Sequence, residues 1–319
     1  MRFHYIINRT VSRQNRYNNH REFLFTSSRF GGNFIYRKGT DMFYVGCHLS
    51  VSSGYLHMVK SAASLGANTF QFFPRNPRGG ASASVNEEDM AAAGEFMKAH
   101  GFGPVVCHGA YTMNAASARE EVRRFACQSM KEDLMKISSL PGVLYNVHPG
   151  AHVKQGVEKG ITLIADCINE VLDCDRRQVP CLLETMAGKG TEIGRTFEEL
   201  GEIIHRVERK DLMGVCLDTC HVYDAGYDIK EDLPGVLAQF DRVLGLSRLR
   251  AVHLNDDKNE IGSHRDRHEK IGQGSLGKDV FAQIINDKAL KDLPFILETP
   301  NELAGFKEEI AMLKSWRND

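Results

Sequence analysis

The sequence alternates between short apolar runs and segments with helical periodicity, and this alternation restricts the possible folds more than any other feature. The predicted strands are Phe43–Cys47, Thr69–Phe73, Pro104–Cys107, Val143–Val147, Pro180–Leu183, Gly214–Leu217, Leu249–Leu254 and Pro294–Leu297. Strands that alternate with helices form parallel sheets, and continuously apolar strands are covered on both faces. The pattern therefore predicts a (β/α)8 TIM barrel. A doubly wound open sheet is the alternative, but no glycine-rich dinucleotide loop follows the first strand.

Between these runs, apolar residues recur every three or four positions, as they do on one face of a helix. The predicted helices are Tyr55–Leu65, Ala118–Ile137, Ile161–Leu172, Phe197–Val207, Leu233–Leu244, Val280–Ile285 and Phe306–Trp316. Two helices follow a capping-box pattern, with Ser117 three residues before Glu120 and Thr196 three residues before Glu199. We expect both pairs to begin their helices.

The first 41 residues differ from the rest of the chain in charge and in pattern. They carry eight Lys and Arg against two acidic residues, a net charge of +6, whereas the remainder carries 32 basic and 39 acidic residues, a net charge of −7. They have no sustained helical or strand period. We predict a flexible basic extension at residues 1–41, which is a solvated tail, a targeting segment or a start assigned too early. Residues 42–319 are predicted to form one barrel domain.

Cysteine usage and hydropathy limit where such a chain works. Four of the eight cysteines, Cys47, Cys107, Cys181 and Cys216, lie inside apolar runs and are predicted to be reduced core thiols. This indicates a reducing, intracellular compartment. No apolar run approaches the ~20 residues that span a membrane. The acidic body also argues against nucleic-acid binding, unless bound cations reverse the charge locally.

Residue types that bind metal ions follow seven of the eight predicted strands. In chain order they are His48, His108, His148, Glu184, Asp218 with His221, His253 and Glu298. A single His at a strand end is usually structural, but seven in register at one end of a barrel indicate a site. Asp266 and His268, in the loop after the seventh strand, are two residues apart, so both side chains would lie on one side of an extended segment.

Without His48, for which a supporting or phosphate contact is expected, these residues are nine imidazole and carboxylate ligands. Imidazole and carboxylate without thiolate suit Zn²⁺, Mn²⁺ or Fe. Nine ligands are too many for one ion and suit a cluster of two or three. Such a cluster activates water and holds phosphate oxygens, which indicates phosphoester hydrolysis.

Seven stretches together resemble endonuclease IV, the zinc-dependent apurinic/apyrimidinic endonuclease family. They are Val45–Ser50, Val147–Gly150, Leu183–Gly188, Cys216–His221, His253–Asp256, Asp266–His268 with Gly272 and Gly274, and Leu297–Thr299. The resemblance covers residues 42–316. It implies a DNA-repair enzyme that hydrolyses the phosphodiester 5′ to an abasic site in duplex DNA, leaving a 3′-hydroxyl and a 5′-deoxyribose phosphate. The family also removes blocking groups from damaged 3′ ends. A monomer that works in the cytoplasm or nucleoid is implied.

The resemblance further implies three zinc ions per chain, with Mn²⁺ possible at some positions. It assigns His108, His148 and Glu184 to the first ion, Glu184, Asp218, His253 and Glu298 to the second, and His221, Asp266 and His268 to the third. A hydroxide held between the first two ions would attack the phosphate, among the catalytic carboxylates Glu184, Asp218 and Glu298. The third ion would help to neutralise the leaving 3′-oxygen.

DNA recognition is placed by the same resemblance in the loops after the second and third strands. The segment Arg75-Asn76-Pro77-Arg78 corresponds to the family's DNA-penetrating loop, with Asn76 in contact with DNA and Arg78 as the inserting residue. Tyr111 corresponds to a wedge in the next loop. The chain departs from the pattern just after Arg78, where Gly79 and Gly80 stand in place of a frequent aromatic residue.

Two other functions stay open at this point. The first is a metal-dependent sugar isomerase or epimerase on the same barrel, which typically uses one or two ions; the pair Asp266 and His268 beside His221 argues for a third ion. The second is a damage-binding protein that has lost catalysis. Ligand types at all nine positions argue against it.

Overall fold

Eight parallel strands close into a barrel in a computed structural model that describes residues 42–77 and 85–318. In chain order they are β1 (Val45–Leu49), β2 (Gln71–Phe72), β3 (Val105–His108), β4 (Val143–Val147), β5 (Cys181–Glu184), β6 (Met213–Asp218), β7 (Leu249–Leu254) and β8 (Phe295–Leu297). The last strand pairs with the first, Val45 opposite Phe295, which closes the sheet. The predicted (β/α)8 TIM barrel is confirmed.

Nine α-helices lie within the described residues. They are α1 (Tyr55–Ser64), α2 (Glu87–Ala99), α3 (Glu120–Ile137), α4 (Val157–Cys174), α5 (Phe197–Arg206), α6 (Thr219–Asp224), α7 (Leu233–Val243), α8 (Lys278–Asn286) and α9 (Leu303–Trp316). All seven predicted helices are present with shifted ends, and α2 and α6 are additions. Two short antiparallel strand pairs connect loops that follow barrel strands. They are Gly150–Ala151 with Glu192–Ile193 and Asp256–Asp257 with His268–Glu269.

One predicted capping pair is confirmed and the other is wrong. The Thr196 side chain accepts the N–H of Glu199 at 3.2 Å and begins α5. In α3, however, the N-cap is Arg119, whose side chain makes no capping bond. The Ser117 hydroxyl accepts the N–H of Arg119 instead. It closes a short turn before the helix, a competing use of serine that the spacing alone does not reveal.

The barrel core has two layers because strand side chains alternate in direction. Residues such as Val105, Leu183 and Phe295 belong to the large outer cluster, which includes the apolar faces of the helices. Five buried residues form a separate cluster on the opposite, inner face: Val106, Leu182, Cys216, Ala251 and Ile296. The inside of the barrel is therefore packed, and the site can lie only above this inner cluster.

The cysteines agree in part with the sequence. Cys47, Cys107, Cys181 and Cys216 are buried free thiols, as predicted. A disulfide between Cys127 on α3 and Cys167 on α4 was not predicted. No helix among the described residues is long and apolar enough to cross a membrane. The predicted extension at residues 1–41 lies outside the described residues, so the domain division stays a prediction.

Candidate metal centre

The candidate ligands form the next layer on the inner face of the barrel. Residues two positions apart on a strand point the same way. Each of five ligands stands two positions after an inner core residue: His108 after Val106, Glu184 after Leu182, Asp218 after Cys216, His253 after Ala251 and Glu298 after Ile296. The packed apolar layer thus supports a polar layer at the carboxyl ends of the strands.

Glu184 lies at the centre of this layer and is 1% exposed. Its Oε2 is 3.0 Å from His108 Nε2 and 3.5 Å from His148 Nε2. Its Oε1 is 3.3 Å from His253 Nδ1. Since the two oxygens of one carboxylate face different imidazoles, Glu184 has the placement of a ligand shared between two ions.

The second group consists of Glu184, Asp218, His253 and Glu298, whose ligand atoms lie within 4.8 Å of one another. His253 Nδ1 is 3.1 Å from Glu298 Oε2 and 3.7 Å from Asp218 Oδ2. Asp218 ends β6 and caps α6, because its Oδ1 accepts the N–H of His221 at 2.8 Å. The cap fixes this carboxylate so that Oδ2 faces the group.

His221, Asp266 and His268 meet at one carboxylate. Asp266 Oδ1 is 3.1 Å from His221 Nε2 and 3.4 Å from His268 Nε2. The expectation of an extended segment is wrong, since Asp266 has a φ of 55° in the left-handed region. Its N–H donates to Asp224 Oδ2 at 2.6 Å, and this buried acceptor holds the left-handed conformation. The two side chains therefore approach across a left-handed residue and not through strand alternation.

Three of the histidines are oriented by backbone carbonyls. Their Nδ1 atoms lie 2.6 to 3.3 Å from carbonyl oxygens, in the pairs His108 with Gly109, His221 with Thr185, and His268 with Glu298. A carbonyl can only accept, so Nδ1 carries a proton and Nε2 is the nitrogen left to face a cation in the site. Histidine ligands in metal proteins are commonly oriented in this way.

Opposite charges are concentrated in the layer. Burial alone raises the pKa of Glu184, but His253 and His148 hold that pKa well below its ordinary value. Burial alone lowers the pKa of His221, yet Asp218 and Asp266 raise it well above the ordinary value. Burial is likewise outweighed at Asp266, where His221 lowers the carboxyl pKa to about 2. The carboxylates are therefore ionised, and bound cations would displace protons from the imidazoles.

Unpaired polar atoms test whether these residues fit metal ions. Buried polar groups normally have hydrogen-bond partners. Within the described residues, Glu184 Oε1, His253 Nδ1 and His268 Nε2 are buried without one. All three are ligand-type atoms aimed into the layer. Their arrangement fits divalent cations better than a set of internal hydrogen bonds.

Comparisons with known proteins agree with this geometry. The model of the xylose isomerase-like TIM barrel family matches residues 59–316. A protein of Akkermansia muciniphila named "Probable endonuclease 4" is 56% identical over 276 residues, which are 86% of this chain and 99% of that protein. One of the same name from Clostridium beijerinckii is 53% identical over 274 residues, with the same coverage. The crystal structure of endonuclease IV from Thermus thermophilus matches with a TM-score of 0.76 at 34% identity, over 86% of this chain and 98% of that one. The chain belongs to the endonuclease IV family.

The endonuclease IV barrel is shared with sugar-modifying proteins. A D-tagatose 3-epimerase-like protein matches this chain with a TM-score of 0.64, but at 17% identity. At that identity the likeness shows the fold alone. The sugar isomerase alternative is therefore less supported than the nuclease function that family membership carries.

Three side-chain amides donate hydrogen bonds to the ligand carboxylates, a role that was not predicted from the sequence. Gln71 on β2 donates to Glu298 Oε1 at 2.6 Å, and Asn146 on β4 donates to Glu184 Oε2 at 2.6 Å. Asn255, just after β7, donates to Asp218 Oδ2 at 2.7 Å. These contacts fix carboxylates that would otherwise rotate. The signal in the sequence was an amide inside an apolar run, as at Gln71 and Asn146. The structure shows both side chains fully buried.

The rim carries the residues that this endonuclease IV chain is expected to use on DNA. Tyr111 is 56% exposed, and its ring centroid lies 5.6 Å from that of His108 and 5.7 Å from that of His148. Asn76 is exposed in the loop after β2. Arg78 lies outside the described residues. His48 Nδ1 is 3.2 Å from Gln71 Nε2, so His48 contacts a supporting amide, as expected of a residue that is not itself a ligand.

Arg75 belongs to the loop matched to DNA penetration but is itself buried. Its Nε donates to Asp133 Oδ1 at 2.8 Å, and its other nitrogens reach Ser129 and Glu132 on α3. The Tyr145 hydroxyl donates to the second oxygen of Asp133 at 2.9 Å. Arg75 therefore anchors the start of the recognition loop to α3 instead of facing DNA.

Proposed function

We propose that this chain is a DNA-repair endonuclease that hydrolyses the phosphodiester 5′ to abasic sites in duplex DNA, leaving a 3′-hydroxyl and a 5′-deoxyribose phosphate. A second activity, removal of blocking groups from 3′ ends, would use the same site. One observation carries the proposal: nine imidazole and carboxylate ligands lie together at the carboxyl end of the barrel, with Glu184 between two groups. Membership of the endonuclease IV family supports the reaction class.

The three ligand groups would hold three zinc ions, with Mn²⁺ possible at some positions. The first two groups are His108, His148 and Glu184, then Glu184, Asp218, His253 and Glu298. The third is His221, Asp266 and His268, which approach one another through Asp266 Oδ1. The absence of thiolate from these sets suits Zn²⁺ or Mn²⁺. When bound, such ions lower the pKa of water to about 7 and neutralise phosphate oxygens.

The chain's own residues would orient and balance these ions. Glu184, Asp218 and Glu298 each accept an amide hydrogen bond, so their oxygens need no reorganisation when the site is filled. The same carboxylates would repel a DNA phosphate from a metal-free site. Docking of DNA on this acidic body therefore depends on the bound cations.

Recognition of the abasic site would fall to the rim. A missing base leaves a gap in the stack, where bending DNA costs least. Tyr111, which contacts His108 and His148 through its ring, would fill that gap as a wedge. Asn76 would contact the duplex, and Arg78 would be inserted into it. Because one chain supplies all nine ligands, a monomer would suffice, acting on DNA inside the cell.

An incision assay tests the proposal. Zinc-loaded protein should nick a duplex that carries one tetrahydrofuran abasic analogue, and the product should have a 3′-hydroxyl that a polymerase extends. The undamaged duplex serves as the control substrate. Metal analysis on the same sample should find about three zinc per chain. Fully metallated protein that leaves the abasic duplex intact but epimerises a ketose would instead support the sugar-modifying alternative.

A further inference from the structure

His253 differs from the three histidines that backbone carbonyls orient. Those three present Nε2 to the site, whereas His253 presents Nδ1, which lies 3.1 Å from Glu298 Oε2 and 3.3 Å from Glu184 Oε1. Its Nε2 points away from the carboxylates. The atom 2.7 Å from that Nε2 is Gln71 Oε1, which belongs to a side chain and not to the backbone. The orientation of His253 therefore depends on one residue that can be changed.

The orientation of the Gln71 amide is itself determined by its surroundings. Gln71 is fully buried on β2, within the layer that holds the ligands. Its Nε2 is 2.6 Å from Glu298 Oε1, and the ionised carboxylate of Glu298 only accepts hydrogen bonds. The same Nε2 is 3.2 Å from His48 Nδ1. The amide nitrogen must therefore face Glu298 and His48, which leaves its oxygen to face His253.

The tautomer of His253 follows from this orientation. An amide oxygen accepts and cannot donate, so the hydrogen between Gln71 and His253 must sit on His253 Nε2. A neutral imidazole carries one ring hydrogen, so Nδ1 keeps its lone pair. That lone pair is the buried atom without a hydrogen-bond partner among the described residues.

We propose that Gln71 is a positioning residue that fixes His253 in the Nε2–H tautomer and so delivers Nδ1 as the ligand of the second metal group. Gln71 also holds the Glu298 carboxylate of the same group, so one side chain orients two of its four ligands. The inference rests on the proposed metal centre, but it concerns binding and orientation and does not depend on the incision activity.

The expected effect is on metal affinity and is confined to one ion. Residues that orient histidine ligands typically change metal affinity by about 10- to 100-fold when they are replaced. Gln71→Leu keeps a similar volume and removes both contacts. We expect it to lower the affinity for one of the three zinc ions by that factor, while the other two stay as tightly bound as in the parent.

Zinc release to a chromophoric chelator measures this effect, and histidine ring ¹H–¹⁵N spectra of the loaded protein report the tautomer. In the parent, the His253 signal, assigned by its absence in His253→Asn, should show hydrogen on Nε2 and metal on Nδ1. Gln71→Leu should broaden or lose that pattern. Gln71→Glu keeps an acceptor for His253 Nε2 but replaces the amide donor to Glu298 with a second carboxylate oxygen. It should therefore keep the hydrogen on Nε2 while still weakening zinc binding, and it remains informative should the leucine variant not fold.

Gln155→Leu is the control, since the half-buried Gln155 donates two hydrogen bonds, to the carbonyls of Ala116 and His152, and neither partner is a ligand. It should leave zinc release and the His253 signal unchanged. Parent-like zinc affinity in Gln71→Leu, or a parent His253 with hydrogen on Nδ1, would overturn the proposal. Parent protein that binds no zinc would instead overturn the proposed function, so the two failures are distinguishable.

Discussion

The floor and the rim of the site are built in opposite ways. On the floor, Glu184 and His253 are nearly inaccessible to solvent, and each is held by an amide on another strand. On the rim, Tyr111 is more than half exposed, and its contacts with described residues are between aromatic rings. From this difference we expect that the groups proposed for chemistry are preorganised, whereas the groups proposed for recognition stay free to adapt to bent DNA.

The two regions also differ in what supports them. The floor ligands continue the inward-facing positions of strands whose apolar residues fill the barrel. The rim follows those strands in loops, and within the described part of the loop after β2 the ion pair of Arg75 with Asp133 is a buried anchor. Changes to the floor should therefore affect metal binding and catalysis, while changes to the rim should affect DNA binding and leave the metals in place.

The largest expected effect comes from Glu184→Gln on the floor. The change removes the charge of the carboxylate that faces both ligand groups, so the centre loses its shared ligand. Incision should fall by roughly a thousandfold or more, which corresponds to about 4 kcal/mol in the barrier. Binding of abasic DNA, measured by fluorescence anisotropy, should largely survive. Substantial incision by this variant would show that Glu184 is not central to the reaction.

Most of the ligands could be predicted from the sequence because each directly follows an apolar run that forms a strand. Such residues can be recognised in the sequence, and the barrel brings them together at the carboxyl ends of the strands. Gln71 and Asn146 were missed because they interrupt apolar runs and do not end them. Nothing local marks them as partners of Glu298 and Glu184, which are distant in sequence.

The missed helices have physical reasons of their own. All six residues of α6 are buried, so no apolar face alternates with a polar one. In α2 the buried positions include Met90, Ala93 and Met97, and alanines on both faces weaken the periodic signal. The left-handed conformation of Asp266 depends on Asp224, 42 residues away, and such a tertiary acceptor leaves no trace in the local pattern.

The next largest effect concerns the anchor of the rim. Arg75→Met keeps the aliphatic length but leaves the buried Asp133 without its ion-pair partner, and breaking buried pairs of this kind costs about 3–5 kcal/mol. We expect a loss of that size in the free energy of unfolding, measured with urea, together with weaker binding of abasic DNA. Arg209→Met is the control, because the pair of Arg209 with Asp211 is well exposed and should contribute under about 1 kcal/mol. Equal losses in the free energy of unfolding of the two variants would contradict the anchoring role of Arg75.

A smaller and more selective effect is expected at Tyr111. Tyr111→Ala removes an exposed ring that contacts Phe73, His108 and His148. Binding of abasic duplex should weaken about tenfold, or roughly 1.4 kcal/mol, since a wedge in the stack is worth an amount of this order. Zinc content and thermal stability should stay the same. Tyr111→Phe keeps the ring and should bind as the parent does; unchanged binding by the alanine variant would remove Tyr111 from recognition.

The smallest effect lies behind the floor, where Asp257 is fully buried close to Asp224. Burial and the charge of Asp224 raise the carboxyl pKa of Asp257 from 3.8 to about 7, against hydrogen bonds from Asn259 that lower it. Between these two pH values the unfolded chain releases a proton that the folded chain keeps. The contribution of Asp257 to the stability of the metal-free protein should therefore fall as pH rises from about 4 to 7.

Asp257→Asn removes this ionisable group and tests how much stability the buried charge of Asp257 costs. The variant should be more stable than the parent at pH 8 by about 1–2 kcal/mol, because the parent then carries an ionised, buried carboxylate. The gain should shrink towards pH 4.5, where the parent carboxyl is protonated in the folded state. Urea unfolding of metal-free protein at both pH values measures it, with the exposed Asp292→Asn as the control. A gain that is the same at both pH values would mean that packing, and not ionisation, causes the difference in stability between the parent and the Asp257→Asn variant.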